Sequence, residues 1–394
     1  MGKWLPCKIL ATFFVLTAIA SGADKSKPRA RDLGIPFPGI PGKLNAITDV
    51  RGVQVGHTTL ISDGGKVLPG VPTVRTGVTA ILPLGKQCDT PVFAGWFSLN
   101  GNGEMTGTTW IEEGGFLEGP IMITNTLSVG TVRDAVIKWG LRQNHGPGTK
   151  KFGEDWGGLS VVAETDDSDL NDIKGFHVEE KDVFRALDSA APGFVAEGNV
   201  GGGTGMICYD FKGGIGTASR TIQDPGPYSV GVLVQANQGE RKHLMIAGVP
   251  VGREMPEKQA STGGKGSIII IVATDAPLLP HQLKRLARRA SSGLARTGTI
   301  SHDGSGEIFL AFSVANREAY QAQGHAAVLM VSNDKMNALF EATVEAVEEA
   351  IINALIAAET MTGNKGKKVV AIPHGELRDI LKRYNRLQES AAKN

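Results

Sequence analysis

The sequence predicts a layered α+β fold, with sheets packed face to face and helices outside. Two observations carry this. Short β-rich runs broken by glycine turns are grouped through the first two-thirds of the chain, and after residue 267 strands and helices alternate. The 52 glycines in 394 residues are about twice ordinary usage. They cluster in motifs without a collagen-like period, so they read as tight turns and close backbone approaches.

Each element follows in order. Lys3 and Lys8 precede an apolar run from Ile9 to Ala20, then the small residues Ala18-Ile19-Ala20 or Ser21-Gly22-Ala23. This is the three-part pattern of a secretory signal peptide, residues 1–23. The run is short of the about 20 residues that span a bilayer. A secreted or periplasmic protein with a single domain over 24–394 is therefore expected, with no membrane contact once the signal is removed. From about 45 to 130, VRGVQVGHTTL, TVRTGVTAILPL, VFAGWFSLNGNGEMTG and PIMITNTLSVG read as strands and turns. Val132, Ala135, Val136 and Trp139 then recur at i, i+3, i+4 and i+7, a helix. LSVVAE is a strand, KDVFRALDSA a short helix, and NVGGGTGMICYDFKGG, YSVGVLVQAN and HLMIAGVPV return to strands and glycine turns.

Arg253 to Lys265 has charges, Pro, Ser and Gly and almost no large apolar residue, the composition of a loose linker. Residues 268–273 form a strand. A helix starts near Pro280, with Leu283, Leu286, Ala287, Ala290 and Leu294 on one face. The turn SHDGSGE leads into the strand IFLAFSVA. A long helix is expected from Ser332, its N-cap, to Thr362, with Gly363 just past its end. A last helix from Glu376 to Leu387 carries Leu377, Ile380, Leu381 and Tyr384.

Charge excludes some functions. Lys and Arg number 41 against 40 Asp and Glu, which gives no reason to expect nucleic acid or an anionic membrane as partner. Cys7 leaves with the signal. Cys88 and Cys208 cannot be paired from sequence and read as small buried hydrophobes. His57, His145, His177, His243, His281, His325 and His374 show no ligand spacing. No metal or other cofactor is expected.

The chemistry turns on GGKGSIIIIVATDAPL, residues 263–278, where Ser267 stands between a glycine-rich loop and an apolar strand. A Walker A loop needs G-x-x-x-x-G-K-[ST] followed by a helix, and here a strand follows G-K-G-S. No serine has glycine on both sides at a distance of two, so there is no nucleophile elbow. His302-Asp303 are adjacent in sequence, which does not make an oriented relay. A cut at Gly266-Ser267 would place a hydroxyl and its own α-amine on one residue. An α-amine has a pKa of about 7.7–8.0 and can serve as base without a histidine. On local sequence alone, Ser267 is more simply the first residue of a buried strand.

The surrounding motifs change that balance. NGNGEMTG (100–107), EGPIMITNTLSVG (118–130), VVAET with LNDIKGFHV (161–178), and GNVGGGTGMICYDFKGGIGTASR (198–220) occur in order, followed by VGVLVQANQG (230–239), GSIIIIVATDAPLLPHQLKRLARRA (266–290) and GSGEIFLAFSVAN (304–316). Over nearly the whole mature chain, this set resembles the DmpA-like self-processing aminopeptidases. That family includes L-aminopeptidase D-amidase/D-esterase and the β-peptidyl aminopeptidases. The resemblance implies a four-layer αββα sandwich, like that of the ornithine acetyltransferases and similar in shape to N-terminal-nucleophile hydrolases. It implies self-cleavage between Gly266 and Ser267 into an α chain, 24–266, and a β chain, 267–394, and a homotetramer of such pairs.

The resemblance also assigns roles. Ser267 would be the nucleophile, Ser305 and Glu307 would orient it and its amine, Asn237 would stabilise the oxyanion, and Glu164 would receive the substrate's free ammonium. The substrates would be small peptides or aminoacyl amides and esters with a free N-terminus. Family members often carry an aromatic residue where this chain has Asp166. Asp166 adds negative charge beside Glu164 and leaves specificity open. Two other readings use the same residues: acyl transfer by aminolysis of the acyl-enzyme, and a self-cleaved binding protein without turnover.

Overall fold

The structure, a computed structural model, describes residues 27–86, 90–142, 159–255, 266–320 and 324–388. The signal segment, Cys7, Cys88, His145 and the 256–265 part of the linker lie outside the described residues.

The chain opens with β1 (Gln54–Ile61) and β2 (Arg75–Leu82), an antiparallel pair. β3 (Val92–Gly101) crosses to a second sheet, and after α1 (Thr108–Gly114) β4 (Phe116–Leu117) pairs with it. β5 (Ile121–Asn125), α2 (Val129–Arg142) and β6 (Val161–Thr165) make a parallel crossover, followed by α3 (Glu180–Ser189). A small hairpin of β7 (Ile207–Cys208) and β8 (Phe211–Lys212) leads to the long antiparallel pair β9 (Gly214–Ile222) and β10 (Tyr228–Asn237). After α4 (Val251–Glu254) come β11 (Ser267–Thr274), α5 (Pro280–Arg296) and β12 (Gly306–Ser313), a second parallel crossover. α6 (Met336–Ile356), the pair β13 (Met361–Thr362) and β14 (Lys368–Val369), and α7 (His374–Arg383) complete the chain.

The strands form a four-stranded sheet, β1-β2-β5-β6, and a six-stranded sheet, β4-β3-β12-β11-β10-β9. Between them lie Val55, Ile81, Ile123 and Val161 of the smaller sheet and Leu233, Ile269, Ile271 and Leu310 of the larger. The outer face of the larger sheet, with Ile268, Ile270, Val272 and Phe309, packs on Leu283 and Leu286 of α5 and Ile351 and Leu355 of α6. Val132 and Val136 of α2 and Val183 and Leu187 of α3 cover Val78, Met122 and Val162 of the smaller sheet. The order is helices, sheet, sheet, helices: the four-layer αββα sandwich.

This layering explains the unbroken apolar run of β11. A strand buried on both faces has no solvent side and no reason to alternate. Each isoleucine from 268 to 271 is at most 1% exposed, worth about 1.5–3 kcal/mol of transfer free energy apiece.

Four expectations are corrected. The helix expected to reach Thr362 ends at Ile356, whose carbonyl oxygen meets His374 Nε2 at 3.0 Å. Met361 and Thr362 instead pair with β14, and Gly363 follows a strand. The expected cap Ser332 makes no capping bond; its hydroxyl donates to Asp334. HLMIAGVPV is no strand. Leu244, Ile246, Val249 and Val251 are buried, but the backbone closes on itself in an isolated Ile246–Val249 bridge between a 3₁₀ turn and α4. The last helix stops at Arg383, because Asn385 takes a positive φ of 53° that breaks the spiral. Among the described residues, no helix is long and apolar enough to cross a membrane.

Candidate active site

Ser267 is the first residue of β11, and register sets Asn237, the last residue of β10, directly opposite it. Glu307, near the start of β12, lies opposite Ile268 on the other side. The ladder thus brings together three residues 30 and 40 positions apart in sequence. Gly266 runs so close to β10 that a Cβ would meet the Asn237 carbonyl oxygen at 2.1 Å. Only glycine permits that approach.

The Gly306 N–H donates to Ser267 Oγ at 3.1 Å. Behind it, Ser305 Oγ lies 2.6 Å from Glu307 Oε1 and 2.9 Å from the His302 carbonyl oxygen. Asn100 Nδ2 donates to the same carbonyl at 2.7 Å. Glu307 is fully buried, and burial raises its carboxyl above the usual range, opposed by the Ser305 hydrogen bond. Asn100 and Ser301 also lower it.

Asn237 is held at both ends of its amide. Oδ1 accepts from the Ile207 N–H at 2.7 Å, and Nδ2 donates to the Asp166 carbonyl at 2.9 Å. An amide nitrogen carries two hydrogens, so one N–H remains for a ligand. Glu164, 4% exposed at the end of β6, accepts from the Glu104 N–H at 2.9 Å and from the Thr126 hydroxyl. Burial raises its carboxyl, Thr126 and the Glu104 N–H temper the rise, and the charges of Asp166 and Glu104 add to it. Asp166 is exposed and its carboxylate accepts the Ser168 N–H at 2.7 Å.

These groups share one cleft of about 800 Å³, lined by Gly266, Ser267, Asn237, Glu164 and Asp166, with Glu104 and Asp169 adding two more carboxylates. Asp169 is paired with Lys367 at 2.7 Å. No Lys, Arg or His is among the described residues lining the cleft. It is therefore a basin for a cationic group beside a hydroxyl with no imidazole in reach. Ser305 and Glu307 stand behind the serine rather than in the wall. His302 points elsewhere, its Nε2 3.2 Å from Glu240 Oε1.

Sequence reasoning missed Asn100, Glu104, Thr126 and the Gly306 N–H as members of the site. Asn100, Glu104 and Thr126 all lie within the quoted motifs, but nothing local says that an asparagine braces a distant turn or that a threonine reaches a carboxylate.

A four-layer αββα sandwich whose central strand opens on a cleft serine has the architecture of the N-terminal-nucleophile class of hydrolase folds. Comparison with known proteins gives the family. The description of peptidase family S58 matches residues 45–369. Beta-peptidyl aminopeptidase BapA of Sphingosinicella microcystinivorans is 53% identical, across 94% of this chain and 96% of that protein; its namesake from Sphingosinicella xenopeptidilytica is 47% identical, across 93% and 94%. Among solved structures, the L-aminopeptidase D-Ala-esterase/amidase of Ochrobactrum anthropi, described as a variant of the Ntn hydrolase fold, superposes with a TM-score of 0.83 at 49% identity, covering 92% of this chain and 100% of that one. A Burkholderia sp. beta-aminopeptidase gives 0.81 at 49% identity, covering 90% and 99%. The chain belongs to peptidase family S58 and is a serine aminopeptidase.

Proposed function

We propose that this aminopeptidase is made as a precursor that cuts itself between Gly266 and Ser267, and that the freed Ser267 turns over substrate through an acyl-enzyme. The observation that carries the reading is the placement of Ser267 at the head of β11, opposite Asn237, in an acidic cleft without an imidazole. In the precursor, Ser267 Oγ attacks the Gly266 carbonyl carbon and the peptide bond passes to an ester. Water then releases a Gly266 carboxylate and a Ser267 α-amine.

In turnover, the substrate's ammonium rests against Glu164. The Ser267 amine takes the Oγ proton as Oγ attacks the carbonyl carbon. The remaining Asn237 N–H donates to the oxyanion, the leaving amine takes the proton, and water hydrolyses the acyl-enzyme. Ser305 and Glu307 fix the amine and hydroxyl from behind. The names of two relatives support an N-terminal β-amino acyl group as substrate, that of the Ochrobactrum enzyme L-amino acyl peptides and D-alanyl esters and amides. Asp166, at the rim, favours substrates carrying further positive charge. Export through residues 1–23 and assembly as a homotetramer of processed pairs belong to the same proposal.

A denaturing gel with mass spectrometry tests it. Wild type is expected as two fragments, the smaller beginning Ser-Ile-Ile-Ile, and Ser267→Ala as one intact chain; a wild type that stays whole overturns self-processing. A panel of α-L-, D- and β-aminoacyl nitroanilides then reads the substrate class.

A further inference from the structure

Glu240 and His243, close in sequence, meet the distant His302 beside the cleft. Glu240 lies just past the end of β10, His243 ends the 3₁₀ turn Arg241–His243, and His302 lies in the turn before β12. Their ligand atoms all fall within 4.8 Å of one another. Glu240 Oε1 is 3.2 Å from His302 Nε2, and the two imidazole rings stand 5.7 Å apart, centre to centre, at 33°. His243 Nδ1 is buried and makes no hydrogen bond. Lys242 holds the other oxygen of Glu240, Oε2, at 2.5 Å, which leaves Oε1 turned to the histidines.

Two imidazoles and one carboxylate suit a borderline divalent cation such as Zn²⁺, with a fourth position left to water. Ligand atoms about 2.0–2.2 Å from a tetrahedral ion sit about 3.3–3.6 Å from one another, so the trio closes on an ion by side-chain rotation. The nearby carboxylates of the cleft lack imidazole partners and form no comparable set.

The trio also bridges two segments of the cleft wall. Gly239 and Gly304, each within two residues of a ligand, both line it. The His302 carbonyl takes hydrogen bonds from Asn100 and Ser305, the braces behind Ser267. We propose that Glu240, His243 and His302 form a site for a divalent transition-metal ion, and that its occupancy lowers turnover by tying the segment after Asn237 to the turn that carries Ser305. The second half rests on the Ser267 cleft being the active site; the first does not.

Titration calorimetry of tag-free, chelator-treated protein with zinc chloride tests the site, on wild type, His243→Ala and Glu240→Gln, with circular dichroism to confirm folding. One Zn²⁺ per wild-type chain is expected, bound at least about tenfold more weakly in each variant, since even outer partners of metal ligands matter that much. Zinc should lower wild-type kcat/KM at least about fivefold, the lower end of common couplings between sites, and EDTA should restore it. His243→Ala should be active and indifferent to zinc. No zinc binding, binding unchanged in both variants, or bound zinc without effect on kcat/KM overturns the proposal. A wild type inactive even without zinc counts against the cleft reading, while the calorimetry still decides the metal site.

Discussion

Glu164 has two donors and a hard environment. Burial favours its neutral form, while the Thr126 hydroxyl and the Glu104 N–H favour the carboxylate. In the proposed function an ammonium substrate needs the carboxylate. With the folded pKa raised, the ionised form is lost as pH falls through that raised value, so below the limb set by the Ser267 amine kcat/KM should take a second fall, earlier than an ordinary glutamate would give. Thr126→Ala removes a donor that favours the charged form, so this second limb should move to still higher pH, with the alkaline limb unmoved. A pH profile of kcat/KM on an aminoacyl nitroanilide checks this, and coincident limbs in the two proteins would refute it. Glu164 was legible through its motif, VVAET. Thr126 was not, because its contact spans 38 residues of sequence and depends on β5 lying beside β6.

β11 shows where periodicity informs and where it misleads. Its run of isoleucines has the right length for a strand and no polar alternation, which marks two-sided burial. Ile269 faces the smaller sheet and Ile270 the helices. Ile269→Ala and Ile270→Ala are each expected to cost about 2–5 kcal/mol, measured by urea denaturation; a strand with one solvent face would show the loss at only one of them. The same logic overreached at HLMIAGVPV and at Met361. Apolar residues report burial, and burial alone does not separate a strand from an irregular segment folded under a helix. The end of α6 was hidden for a related reason, since the residue that closes it, His374, belongs to the next helix.

Across the whole molecule, the two sides of the Gly266–Ser267 bond are interleaved. β11 lies between β10, before the bond, and β12, after it. α6 packs on β9 and β10, and its Glu349 meets Arg31 at 2.7 Å, Arg220 at 2.8 Å and Asn45 Nδ2 at 2.6 Å. On the proposed cut, the two pieces are therefore expected to elute as one species in native size-exclusion chromatography and to part only in denaturant; separation in native buffer would contradict the interleaving. The layer order was legible in outline from the grouping of strands and helices. The pairing of β10 with β11 was not, because nothing in either strand names its partner.

The alternation of β11 has a consequence for aim. Successive side chains on a strand point to opposite faces, so Ser267 shares its parity with Ile269 and Ile271, the residues clasped between the sheets. Asn237 shares parity with Leu233 in the same layer. The direction of the hydroxyl is thus dictated from several residues down the strand, by which isoleucines the two sheets hold. One extra residue inserted between Ser267 and Ile268 would leave that grip intact and turn the hydroxyl toward the helices. The Ser267 hydroxyl is steered from the core, like a rudder by its post.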